Sequence, residues 1–153
     1  MDIFKIFAVL YLLKRYSEKF DKDDMEGRTK LHKLVFLSQM EGDIDYFKFV
    51  PYYYGPFSFD LRDTIERAIL YGLVEEREDD GRYFYKITDK GKEFLKILEM
   101  HLEKEKLKEK GEQIKTTIDK ILEKYGRLSR KDIVKYVYER YPKFRPGQLK
   151  ITW

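Results

Sequence analysis

The chain reads as mainly α with a small antiparallel β-sheet. Three features predict this: long stretches with apolar residues at helical spacing, one Asp-Gly pair between two alternating runs, and capping or turn residues at the joins. A length of 153 residues fits one globular unit. Within it, residues 1–95 read as a core and residues 96–153 as a helical extension packed on that core or continuing it.

The first helix is predicted from Asp2 to about Tyr16, with the acid near its N-terminus and Lys14 and Arg15 at the other end, as the helix dipole favours. It is apolar nearly all round and must be well covered. The stretch "SEKFDKDDMEG" breaks the pattern, and Gly27 ends it. A second helix fits "RTKLHKLVFLSQM", with Thr29 as N-cap and Leu31, Leu34, Val35 and Ser38 on one face for the first helix to cover. Tyr46 to Tyr54 is aromatic and β-branched without a helical period, which predicts a strand. Pro51 lacks an amide donor and puts that strand at a sheet edge, and Gly55-Pro56 then turns the chain. Ser58 caps the helix "SFDLRDTIERAILYG", whose stripe is Leu61, Ile65, Ala68 and Ile69 and whose end is Gly72.

In "LVEEREDDGRYFYKIT", Asp80-Gly81 predicts a hairpin with a type I′ turn. A two-residue loop fixes the register: Asp79 opposite Arg82, Glu78 opposite Tyr83, Arg77 opposite Phe84, Glu76 opposite Tyr85, Glu75 opposite Lys86 and Val74 opposite Ile87. Thr88 caps a long charged helix reaching Lys110, with Phe94, Leu95, Leu98 and Leu102 inward. A further helix, "EQIKTTIDKILEKYG", turns Ile114, Ile118, Ile121 and Leu122 inward. The last, "LSRKDIVKYVYERYP", opens on a capping box from Ser129 to Asp132 and buries either Ile133, Val137 and Tyr141 or Val134 and Tyr138.

Composition excludes several function classes. Cysteine is absent, which removes disulfides, thiolate metal sites and cysteine nucleophiles. The apolar start carries Lys5 within it and lacks a small-residue cleavage site, so no signal peptide is read there, and its uncharged run from Ile6 to Leu13 is too short to span a bilayer. A cytoplasmic protein is expected. Asparagine is absent and Lys and Glu abound, the trend of heat-adapted proteins. His32 and His101 are isolated and fit no metal spacing, and there is no Gly-rich phosphate loop or nucleophile elbow. An EF-hand loop begun at Asp21 would need Gly at 26 and Glu at 32, where Glu26 and His32 stand. No catalysis, cofactor or metal is therefore expected, and His32 is read as structural.

Charge is unevenly divided. Residues 1–95 carry 16 Lys and Arg against 19 Asp and Glu, and residues 96–153 carry 16 against 9. The hairpin from Glu75 to Lys86 has five acids and three bases, so it is not expected to approach a phosphate backbone. From Lys124 to Lys150 the balance reverses, with Lys124, Arg127, Arg130, Lys131, Lys135, Arg140, Lys143, Arg145 and Lys150 against Asp132 and Glu139. Tyr136, Tyr138, Tyr141 and Phe144 are interleaved with these bases. Bases among aromatics suit a nucleic-acid face or an acidic partner, while tyrosines packed on the core with lysines in water would be purely structural. The cluster Tyr52, Tyr53, Tyr54, Gly55, Pro56 and Phe57 is either an interface patch or a core plug buried on both faces.

A helix ending in "YGLV", a hairpin and then "ITDKGKEFL" resembles the second half of a winged-helix domain. More specifically, Lys30, Leu31, Lys33 and Leu34, then Tyr54, Gly55, Pro56, Phe57 and Ser58, then Gly72 and Leu73 resemble the YwgA-like and Panacea (SocA-like antitoxin) group over roughly residues 28–95. The resemblance implies a winged-helix-like core without known catalysis, in a group with antitoxin, protein-binding or regulatory roles. It departs from an ordinary winged helix in one respect: the aromatic strand stands where the helix before the recognition helix would be. The expected function is a non-catalytic adaptor or regulator with a protein partner such as a toxin or chaperone. The alternative is a DNA-binding transcriptional regulator using the basic C-terminal third. A homodimer through the helix after Thr88 is a further expectation.

Overall fold

The structure, a computed structural model, describes residues 2–20, 25–104 and 106–145. The fold is mostly helical with two small antiparallel sheets. The acids Asp21, Asp23 and Asp24, with Lys150 at the basic end, lie outside the described residues.

Helix α1 (Ile3–Phe20) is the central element. The Asp2 carboxylate accepts from the Phe4 amide at 2.9 Å, capping the first turn. Ile6 to Leu13 are all buried, so the helix that is apolar all round is covered all round, by α3 (Phe59–Leu70), α4 (Asp89–Leu102), α5 (Lys108–Tyr125) and the sheet. A side-chain bond fixes α5 to it: Tyr11 donates to the Asp119 carboxylate at 2.8 Å, beside Arg15 Nε at 3.1 Å.

Helix α2 (Arg28–Gly42) corrects two expectations. Its N-cap is Gly27, at φ +98°, with no side-chain cap from Thr29, because the chain enters from strand β1 (Met25–Glu26) with the Gly27 amide donating to Tyr83 O. Its main neighbours are α5, α6 (Arg130–Arg140) and a hairpin rather than α1, whose surface is already occupied. Leu31, Leu34, Val35 and Ser38 are buried as the spacing requires.

The expected strand from Tyr46 to Tyr54 is instead a hairpin of its own. Strand β2 (Val50–Tyr52) pairs with β3 (Gly55–Phe57), Tyr52 opposite Gly55, so Tyr53 and Tyr54 form the turn and Gly55-Pro56 continues the ladder. Pro51 and Pro56 face each other, which suits prolines in a two-stranded ribbon where each has an unpaired side. Ser58 caps α3, accepting from the Leu61 amide at 3.1 Å.

Strands β4 (Val74–Asp79) and β5 (Arg82–Ile87) pair in the register that Asp80-Gly81 dictates, with φ +53° and +77° at the two turn residues. Arg82 reaches Glu26 of β1 at 3.6 Å rather than Asp79, because β1 adds a third strand along β5; Asp79 meets Arg77 instead. Thr88 caps α4. The helix expected to run on to Lys110 stops at Leu102, and α5 starts at Lys108 and contains Gly111. Folding α5 back onto α4 brings Gly111 against Leu102, where a Cβ would stand 3.4 Å from Leu102 Cβ. Leu95, Leu98 and Leu102 of α4 share one buried cluster with Ile114, Ile118, Ile121 and Leu122 of α5 and with Ile133 and Val137 of α6. Of the two stripes open for α6, Ile133 and Val137 are therefore the buried pair, while Val134 and Tyr138 are half-buried. Among the described residues no helix is long and apolar enough to cross a membrane.

Candidate functional site

The two halves of the motif over residues 30–58 meet in space, and their meeting builds the site. Three of the buried polar side chains of helix α2 meet backbone groups here. Lys30 Nζ donates to Gly126 O at 2.8 Å, at the C-terminal end of α5 where helix carbonyls lack partners. Lys33 Nζ donates to Pro56 O at 3.3 Å. His32 Nδ1 accepts from the Ser58 amide at 3.3 Å, and its ring stacks on Phe57 at 4.4 Å. Lys33 and His32 thus hold the β2–β3 hairpin from below, at the middle of β3 and just past its C-terminal end.

Burial sets the charge of these groups. It pushes His32 down to about 3, with the charges of Lys33, Arg62 and Arg28 acting in the same direction, so the ring is neutral at ordinary pH. It pulls Lys33 down to about 7, helped by Arg130. A neutral His32 with an accepting Nδ1 carries its proton on Nε2.

Ser58, His32 and Asp60 lie close together, and their bonding differs from that of a nucleophile and its base. The imidazole nitrogen takes the Ser58 backbone amide, and the Ser58 hydroxyl donates to Asp60 while accepting from Leu61 N. Burial raises the Asp60 carboxyl, but the bonds from Ser58, Lys5 Nζ at 3.0 Å and the Lys48 amide outweigh it and hold the group below its usual value. Its bonds tie the start of α3 to α1 and to the chain before β2. Among the described residues no cluster of three or more acidic or histidine side chains could hold a metal ion.

Above this base the hairpin presents its aromatic residues. Gly55 and Pro56 are buried, Tyr52 and Phe57 are half-buried, and Tyr53 and Tyr54 are each 57% exposed. Phe59 continues the patch at 43% exposed, with Tyr52, Phe57 and Phe59 packed at centroid distances of 4.9 to 5.5 Å. The cluster is therefore divided between the two readings of the sequence, one set buried and one facing water.

Helix α6 lies against the same hairpin. Tyr138 packs so closely on Gly55 that a Cβ there would stand 2.9 Å from its ring. Arg130 lies over the Tyr54 ring at 5.2 Å, and Arg62 of α3 lies over Phe59 at 5.1 Å. Lys131, Lys135 and Tyr138 follow at i, i+4 and i+7 and so lie along one stripe of the helix, Tyr138 being the member that meets the hairpin. Both lysines are exposed.

The remaining bases do not join them. Lys124 is paired with Glu41 at 3.1 Å, Arg127 lies over Phe20, Arg140 over Tyr141, and Arg145 Nε donates to Tyr138 O; Lys143 is exposed in the 3₁₀ turn Pro142–Phe144. The interleaved aromatics divide likewise: Tyr141 and Phe144 pack edge-on against Phe36, and Tyr136 packs against Tyr125.

The chain is similar to the uncharacterized protein YwgA of Bacillus subtilis (strain 168), with 33% identity over 88 residues. This supports a YwgA-like relationship. The match covers 55% of this chain and 51% of YwgA, so the chain spans about half the length of the relative it matches. No family model matches the chain.

Sequence reasoning named the aromatic cluster and the α6 bases separately and missed their contact. It also gave Lys33 no role, although a lysine between Leu31 and Leu34 on an inward-facing turn was the available signal. The places of Phe59 and Arg62 on the patch follow from the direction in which Ser58 starts α3, which only tertiary structure shows.

Proposed function

We propose that this chain is a non-catalytic, winged-helix-like adaptor or regulator, antitoxin-like in kind and acting in the cytoplasm, that binds a protein partner through the hairpin tip. The order α3, β4–β5, α4 supports the winged-helix-like reading, since it is helix, hairpin, helix as the resemblance implies. One observation carries the binding role: Tyr53 and Tyr54 stand half-exposed on a ribbon fixed below by Lys33 and His32 and beside by Tyr138. Aromatic anchors on a fixed backbone lose little entropy on binding and are enriched at interface hot spots. Affinity capture with the wild-type chain and with Tyr53→Ser/Tyr54→Ser tests it. Capture of a defined protein by the first and its loss by the second, at unchanged melting temperature, is the expected result; equal capture by both would remove the tip from the interface.

The alternative, a DNA-binding regulator using the basic C-terminal third, has exposed Lys131, Lys135 and Lys143 in its favour. Fluorescence anisotropy with random duplex DNA separates the two. Phosphate contacts give affinity that falls steeply with salt, and the protein-binding reading expects no such binding by the full chain.

A further inference from the structure

Resting on the protein-binding reading, we infer that the hairpin tip and the first two turns of α6 form one recognition surface for an acidic protein segment, with carboxylates on Arg130, Lys131 and Lys135 and an apolar side chain against Tyr53 and Tyr54. Charge complementarity is the first argument. Among residues 130–135 there are three bases and one acid, and Lys131 and Lys135 are both exposed. Arg130, lying on the Tyr54 ring, has its orientation restricted by that contact and is itself exposed. A guanidinium so placed suits a carboxylate in two-point contact, whereas a base platform needs an open ring face.

The size of the stripe argues for carboxylates over a nucleic acid. From Arg130 to Lys135 the helix rises only about 7.5 Å at 1.5 Å per residue, enough for one or two carboxylates and short for a tract of phosphates. The flanks reinforce this. On the α3 side Arg62 is already paired with Asp63 at 3.3 Å, and Glu66 follows one turn along. An extended polyanion crossing the patch would meet those acids, while a short acidic segment ending at the tip would not.

Anisotropy on the full chain with two fluorescein-labelled probes tests the inference: a twelve-residue Glu-rich peptide carrying two leucines, and a single-stranded oligodeoxynucleotide of equal charge. The variants are Lys131→Glu/Lys135→Glu, the milder Lys131→Gln/Lys135→Gln, Tyr54→Ala, and Lys120→Glu as an exposed control on α5. The peptide is expected to bind more tightly than the oligonucleotide. Charge reversal should weaken peptide binding by about tenfold or more, neutralisation by less and Tyr54→Ala by about fivefold, with the control unchanged. Tighter binding of the oligonucleotide would overturn the inference and favour nucleic acid. Equal effects of the α6 and control reversals would also overturn it. If the peptide fails to bind while protein capture still depends on Tyr53 and Tyr54, the acidic segment is wrong and the protein-binding reading stands.

Discussion

Among the described residues two hairpins are closed by two-residue turns, and they are held in opposite ways. In β4–β5 the turn is Asp80-Gly81, both residues at positive φ, and every residue of β4 beyond Val74 is exposed. In β2–β3 the turn is Tyr53-Tyr54, neither at positive φ; the left-handed residue is Gly55, and it is buried. A Cβ at Gly81 would meet nothing within 4 Å, whereas one at Gly55 would press on Tyr138 at 2.9 Å and on Lys33 Cε at 3.3 Å. Turn chemistry specifies the first hairpin, and packing against α2 and α6 specifies the second. A surface set by tertiary contacts holds its shape when a partner arrives, which is what the aromatic tip needs.

Replacing each glycine by alanine is the strongest way to break this comparison. Gly81→Ala faces only backbone strain, on the order of 1 kcal/mol. Gly55→Ala adds overpacking to the same strain, for a loss of about 3 kcal/mol. Urea unfolding measures both. Equal losses would mean that α6 does not constrain the aromatic hairpin.

The buried amine beneath β3 predicts a pH signature that the exposed hairpin lacks. Lys33 is pulled down to about 7 in the fold and returns to an ordinary lysine value, 10.5, when unfolded. Between those values the unfolded chain binds a proton that the folded chain does not, so stability rises with pH, by up to about 1.4 kcal/mol per unit. The gain is complete above 10.5 and is lost as pH falls through 7. Lys33→Met should flatten the climb in melting temperature between pH 7 and 9. His32 acts in the same sense at lower pH: its folded value of about 3 against 6.5 makes stability fall as the solution is acidified between them. A wild-type melting temperature that is level from pH 7 to 9 would show Lys33 already charged and solvated in the native state.

The same contrast explains what the sequence could tell. Asp80-Gly81, Ser58, Thr88 and Ser129 act on atoms within a few residues, so the register of β4–β5 and the starts of α3, α4 and α6 were legible. Tyr53-Tyr54 has no intrinsic turn preference, and the Tyr138 ring that packs on Gly55 lies far along the chain, so from sequence the second hairpin reads as one strand. The two-residue β1 was hidden for a related reason, since its pairing with β5 depends on where α1 ends. Of the candidate site, the residue types were visible and the junction was not: periodicity places Lys131, Lys135 and Tyr138 on one stripe but cannot say that Tyr138 meets Gly55.

Within the aromatic hairpin, buried and exposed rings should separate in their effects. Phe57→Ala removes the ring stacked on His32 and is expected to cost about 2 to 3 kcal/mol. Tyr54→Ala removes an exposed ring and is expected to cost under about 1 kcal/mol in the same unfolding experiment while weakening partner binding. A core-like loss at Tyr54 would return the tip to a structural role.

The smallest effect belongs to the charged hairpin. Lys86 stands 3.6 Å from Glu75 and Arg82 3.6 Å from Glu26, all four side chains largely exposed. Ion pairs of that kind contribute little, because water screens them and two long side chains must be held still to make them. Arg82→Ala and Lys86→Ala are therefore each expected to change stability by less than about 0.5 kcal/mol. Neither should alter binding to duplex DNA, since the five acids among residues 75–86 repel phosphates whether or not one base is removed. A sharp loss of DNA affinity on Arg82→Ala would invert the comparison, making the exposed hairpin the working surface and the aromatic one its support.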